Sequence, residues 1–110
     1  MQKYIAITIG RNVGNTPMDT GTWVDCKAEA FDAVATHTKV DSQIFKGEGT
    51  GIWECGHEDA HAIIVLTDKV DEPALKADLA KLANKYHQDA IGCAILDLPT
   101  GNESLVFADK

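Results

Sequence analysis

Glu54 is the residue whose type and spacing best suit it to chemistry. It follows Gly51, Ile52 and Trp53 in an extended segment. If Trp53 and Cys55 point toward a core, the two-residue period of a strand sends Glu54 to the opposite face, beside Ile52. A carboxylate held there is paired, shifted in its protonation, or waiting for a cationic ligand; the plainer reading is an edge-strand glutamate in solvent. Arg11, directly after the first apolar run, can clamp a carboxylate through its planar guanidinium or serve as an ordinary surface charge. His57 and His61, with His37 and His87 elsewhere, raise the question of a divalent metal. An H-x3-H pair converges only on a helix, and this segment reads as a turn running into a strand, so no metal site is expected. Gly47, Gly49 and Gly51 match neither a Walker loop nor a dinucleotide fingerprint and precede a strand, which leaves a flexible cover over a ligand or a bulged hairpin. Cys26, Cys55 and Cys93 fall at apolar positions without CxxC spacing, so the expectation is free thiols with a core role in a reducing compartment.

These residues need elements to position them. Residues 4–9 alternate, with Ile5, Ile7 and Ile9 on one face and Tyr4, Ala6 and Thr8 on the other, the period of a strand. Loop residues follow to position 21, after which Thr22 can cap a helix with Trp23, Cys26, Ala30, Phe31 and Val34 as its apolar positions, ending near residues 36–38. Residues 43–46 and 51–55 read as a second strand interrupted by glycine, and residues 60–67 as a third strand after a polar turn at 56–59. Asp71, Glu72 and Pro73 open a second helix whose inner face is Leu75, Leu79, Leu82, Ala83 and Tyr86. Residues 90–96 form a fourth strand, 99–102 a turn, and 105–107 a short last strand. The order is βαββαβ with an extra C-terminal strand, an α+β ferredoxin-like sandwich.

Two helices cover only one face of such a sheet. Yet strand three carries Ile63 and Val65 on one side and Ala62, Ile64 and Leu66 on the other, and strand four is equally two-sided. An antiparallel sheet with one wet face alternates apolar and polar, so the second face is expected to pack against another subunit. At 110 residues the chain suits one domain spanning 1–110. The net charge of −7, with ten scattered Lys and Arg, argues against nucleic acid and tolerates a cationic small molecule. The first ten residues form neither a signal peptide nor a membrane span, so a soluble cytoplasmic protein is expected, with no membrane partner.

The run Ala74-Leu75, then Leu82-Ala83-Asn84-Lys85-Tyr86-His87-Gln88-Asp89-Ala90-Ile91, resembles the phage S-adenosylmethionine hydrolases, now regarded as lyases. The A-L opening of the helix, the L-A-N near its end, an aromatic, and Q-D before the next strand carry the likeness. Arg11-Asn12 after the first strand and Leu105-Val106-Phe107-Ala108 after a Thr-containing turn add to it. The resemblance implies PII-like trimers with sites between subunits, in the host cytoplasm if the gene is a phage's, cleaving S-adenosylmethionine to methylthioadenosine and homoserine lactone. It implies the key glutamate at Glu54, after Gly51-Ile52-Trp53, a site glutamine at Gln88, and Phe45 where the family has a tyrosine that packs on the ligand. Trp53 and Arg11 complete the expected substrate-binding set. The substrate's own carboxylate is the nucleophile, so neither cofactor nor metal is expected.

Two other readings fit the same pattern. A non-catalytic PII-like or CutA-like trimer would bind a nucleotide or a partner protein through the 47–59 hairpin and return the nucleotide intact. A dimeric α+β barrel acting on a hydrophobic substrate would have no affinity for adenosine compounds. Fold alone does not choose among them.

Overall fold

The structure, a computed structural model, describes residues 2–39, 41–53 and 56–98, with the backbone only at Trp53. Strand β1 is Gln2–Gly10, and a small hairpin of β2 (Asn12–Val13) and β3 (Thr16–Pro17) leads into helix α1 (Thr20–His37). Strands β4 (Gln43–Trp53) and β5 (Gly56–Thr67) follow, then helix α2 (Glu72–Lys85) and strand β6 (Gly92–Leu98). The main sheet runs β4-β5-β1-β6, antiparallel at every pairing. This is the ferredoxin-like α+β arrangement expected from the pattern. The expected turn at 99–102 and last strand at 105–107 lie outside the described residues.

β1 sits between β5 and β6 and sets the phase of both. Ile5 faces Val65 on one side and Ile95 on the other, and Ile7 faces Ile63 and Cys93. Ile5, Ile7, Ile9, Ile63 and Val65 are buried with Trp23, Cys26, Ala30 and Val34 of α1 and Leu75, Leu79 and Leu82 of α2 in one core. Each fully buried aliphatic side chain contributes about 1.5–3 kcal/mol, so this layer is the main stabilising force of the fold.

The helices begin where side chains satisfy their first free N–H groups. Asp19 caps α1 by accepting the Thr22 N–H at 2.8 Å, so the cap lies three residues before the expected Thr22, whose part is that of donor. Asp71 accepts from the Ala74 N–H at 3.2 Å and, with Pro73 in the first turn, starts α2 as expected. Cys26 lies in the α1 stripe, fully buried, and burial pushes its thiol up to about 11, as suits a core residue. Cys26 and Cys93 are free, while Cys55 lies outside the described residues.

The glycines at 47, 49 and 51 do not interrupt the second strand. β4 pairs with β5 without a break from Gln43 opposite Leu66 to Trp53 opposite Gly56, and the polar run 56–59 is strand, not turn. Glycine costs a strand roughly 0.5–1 kcal/mol per residue relative to alanine, and an eleven-residue ladder outweighs that. The register also fixes the pleat. Phe45, Gly47, Gly49 and Gly51 share the face of Ala62 and Ala60, whereas Ile44, Lys46, Glu48 and Ile52 share the face of the helices. Ile52 therefore lies on the opposite face from the one expected; Glu54 is outside the described residues.

The face away from the helices carries Tyr4, Ala6, Phe45, Ile64, Leu66, Ala94 and Leu96, with Phe45 and Leu96 more than half exposed at 53% and 57%. No helix among the described residues is long and apolar enough to cross a membrane.

Ile7→Ala, which opens a cavity between the sheet and the helices, is expected to lower the unfolding free energy by about 2–5 kcal/mol. Leu96→Ala on the open face should cost under about 1 kcal/mol in dilute solution. Urea unfolding followed by circular dichroism measures both, and equal losses would mean that the open face is as buried as the core.

Candidate functional site

The half of the open face nearer the β2–β3 hairpin forms a groove of about 1020 Å³. Its floor is small residues in register: Gly47 beside Ala62, Gly49 beside Ala60, Gly10 across from Ala60, and Gly92 across from Thr8. Phe45 and Ile64 border the apolar end. Asn12, Gly14 and Asn15 from the hairpin, and His87, Gln88 and Asp89 from the turn after α2, wall the polar end.

An ideal Cβ built at Gly47 or Gly49 meets no atom within 4 Å among the described residues. Packing among the described residues thus does not demand these glycines, although each weakens its strand by roughly 0.5–1 kcal/mol relative to alanine. A stripe of bare backbone facing open space is what close approach of another molecule requires.

The polar wall is built by the end of α2. Gln88 N–H bonds the Ala83 carbonyl at 2.8 Å and His87 N–H bonds the Asn84 carbonyl at 3.3 Å, the paired bonds of a Schellman stop. His87 occupies the left-handed position of that motif at φ 57°, where glycine is commoner. The stop turns the chain so that Gln88 Nε2 donates to the Asn12 carbonyl at 2.9 Å, tying the α2–β6 turn to the β2–β3 hairpin.

The electrostatics follow from the pleat. Lys46 and Glu48, though on the strand that floors the groove, turn to the helix face, where Lys46 Nζ lies 4.8 Å from the centre of the Phe31 ring. Glu48 accepts from Lys27 Nζ at 2.9 Å and lies 3.0 Å from His61 Nδ1. Burial raises the Glu48 pKa, but the Lys27 and His61 bonds outweigh it and hold the carboxyl below its usual range. His61 is buried, and its Nε2 has no partner among the described residues. Among the described residues, the formal charges left to the polar end of the groove are Glu58 and Asp89, which favours a cation there.

Of the residues singled out from sequence, Phe45 and Gln88 line this groove together. Arg11 does not line it. Its Nε donates to the Met18 carbonyl at 2.7 Å and its Nη1 to Asp59 at 3.2 Å, while its backbone N–H bonds the Asp59 carbonyl, so it pins the start of the hairpin to β5. Glu54 and the Trp53 side chain lie outside the described residues. His57, His61 and His87 approach the groove, but no group of three His, Cys, Asp or Glu suited to a metal occurs among the described residues. Sequence reasoning missed Asn12, Glu58 and the two small positions Gly10 and Gly92. For Gly10 and Asn12 the signal was the Gly10-Arg11-Asn12 sequence at the strand end, where Asn12 entered only as part of the resemblance; Glu58 and Gly92 carried no local signal.

No family model matches the sequence, and no curated protein does. Among solved structures, the chain is similar to a DUF3240 family protein from Shewanella baltica OS155, with TM-score 0.58, 13% identity, and coverage of 94% of this chain and 97% of that one. It is also similar to a phage SAM lyase in complex with S-methyl-5'-thioadenosine, with TM-score 0.53, 16% identity, and coverage of 87% and 81%. At these identities the likeness is one of fold.

Gly47→Ala adds a methyl group to empty space on a paired strand. It is expected to leave the fold intact or to stabilise it by up to about 1 kcal/mol, while weakening whatever occupies the groove. Thermal unfolding alone and with ligand measures both effects; a loss of stability without ligand would show that the glycine serves the strand itself.

Proposed function

We propose that this chain degrades S-adenosylmethionine to methylthioadenosine and homoserine lactone, in the groove on the open face of the sheet. The observation that carries the proposal is the groove itself: a bare-backbone floor between an exposed Phe45 and a polar wall at Gln88, with net negative charge at the polar end. A flat adenine suits an aromatic edge and a glycine floor, and a sulfonium amino acid, which carries two positive centres, suits acidic walls. The sequence resemblance and the shared fold of a lyase that binds a thioadenosine support the same reading.

The reaction asks little of the protein. A carboxylate oxygen of the substrate attacks its own γ-carbon, the C–S bond breaks as the O–C bond forms, and the electron pair leaves with sulfur, which becomes a neutral thioether. Positive and negative charge annihilate as the five-membered ring closes, so a site poorer in water than bulk favours the step. No proton is moved in this step. The enzyme supplies the folded conformer in which oxygen, carbon and sulfur are in line, and such positioning is worth about 7–11 kcal/mol at its best.

In this proposal Glu54, assigned by the sequence resemblance and not by the phase of β4, holds the substrate ammonium and thereby orients the carboxylate. Gln88 fixes a polar atom at the wall, and Phe45 and Trp53 pack on the base. The apolar open face is the contact between copies, and a trimer would close each groove with a neighbouring subunit and exclude water from it. Arg11 acts through the hairpin it anchors and not as a clamp on substrate.

Incubating the purified chain with S-adenosylmethionine without added metal and following products by liquid chromatography and mass spectrometry tests the proposal. Methylthioadenosine with homoserine lactone is the expected outcome, and Glu54→Ala should abolish it while substrate still binds. Substrate bound and returned intact would instead make the chain a ligand-binding protein of the same fold. Failure of a folded oligomer to bind or convert it would sink the reading.

A further inference from the structure

The other carboxylates on the described strands have cationic partners. Glu48 pairs with Lys27, Asp59 with Arg11 and Asp97 with Lys3. Glu58 differs, because no ion pair engages it among the described residues, although it is half-buried and lines the groove. It is held in place nonetheless. Its Oε2 accepts the Asn12 backbone N–H at 2.6 Å, which fixes the carboxylate against the β2–β3 hairpin.

The position of that carboxylate depends on a missing atom. An ideal Cβ at Gly10 would lie 2.2 Å from Glu58 Oε1 and 2.5 Å from its Cδ. The carboxylate therefore lies across the bare backbone of β1, at the rim where Asn12 and Gln88 meet. Among the described residues no hydrogen bond engages Oε1, so one oxygen is fixed by the protein and the other is left for a ligand. A half-buried carboxylate without a counterion carries a desolvation cost that a bound cation relieves.

We propose that Glu58 is a further ligand-binding residue of this groove, receiving the positively charged part of the ligand. The inference rests on the reading above that the ligand is an adenosyl compound bearing cationic charge. It assigns specificity to the pair Glu58 and Gly10. Glu58 distinguishes the charged substrate from the neutral thioether product, which lets the product leave once the charge has been consumed. Gly10 keeps the carboxylate where that discrimination is made.

The test compares two probes on the full chain by calorimetry. Sinefungin carries an amine in place of the sulfonium and cannot expel a thioether, and methylthioadenosine is its neutral counterpart. E58Q keeps an acceptor oxygen for the Asn12 N–H and removes only the charge. It is expected to weaken sinefungin about 10- to 100-fold, the range for losing a charge-assisted hydrogen bond, and to leave methylthioadenosine within about twofold. G10A retains the charge but displaces the carboxylate, a flexible side-chain end that can move, and should weaken sinefungin in the same selective way. Sinefungin affinity unchanged in E58Q, or an equal loss for both probes, would overturn the assignment while leaving the adenosyl reading in place. A folded wild-type chain that binds neither probe would remove both together.

Discussion

The structure depends on the phase of β1. This strand is paired on both sides, and its alternation decides that Ile5, Ile7 and Ile9 meet the helices while Tyr4, Ala6, Thr8 and Gly10 face away. A slip of one residue would exchange the two sets, exposing three isoleucines and burying a tyrosine and a threonine. The hydrophobic layer thus specifies the core and, by the same stroke, the membership of the groove. Gly10 can make room for Glu58 only because Ile9 is held in the core one residue before it.

That constraint explains how one strand serves two chemistries. β4 carries a lysine and a glutamate among its glycines, and the pleat sends the charges to the helix side while the glycines form the floor. There Glu48 pairs with Lys27 and lies beside His61, while Lys46 sits over the Phe31 ring. The groove keeps its negative balance because its would-be counterion, Lys46, is turned through the sheet. Arg11 is likewise occupied, with Asp59 and the Met18 carbonyl.

Much of this was legible in the sequence, for reasons that differ by element. The alternating isoleucines of β1, the two helices with their apolar stripes, and the two-sided β5 and β6 carry strong periodic signals, and the ferredoxin-like order follows from them. Gln88 and Phe45 were marked by resemblance, and the fold brings both to one groove. Local chemistry was harder to read. Thr22 looked like a helix cap because it precedes Trp23, but Asp19 is the better acceptor and stands one turn earlier. The glycines of β4 looked like a break, since propensity is local, whereas an uninterrupted ladder with β5 is a long-range property. The phase of Ile52 was misassigned because Trp53 and Cys55 were given to the core, when the pairing of Phe45 with Ile64 sets the phase from the other end of the strand. Glu58 escaped notice because its position depends on Gly10, a contact between residues 48 apart, and no spacing rule reaches that far.

The left-handed residue at the end of α2 has a consequence of its own. Among the described residues, His87 is the one non-glycine with positive φ, and glycine at that point would relieve about 1 kcal/mol of backbone strain. The relief is a single substitution away, and by stability alone the histidine is the inferior choice. The side chain carried at that cost is the one the turn presents to the groove. Glycine would give a more relaxed stop and a groove wall shorter by one imidazole, so the ease of ending α2 and the lining of the groove are set by the same position.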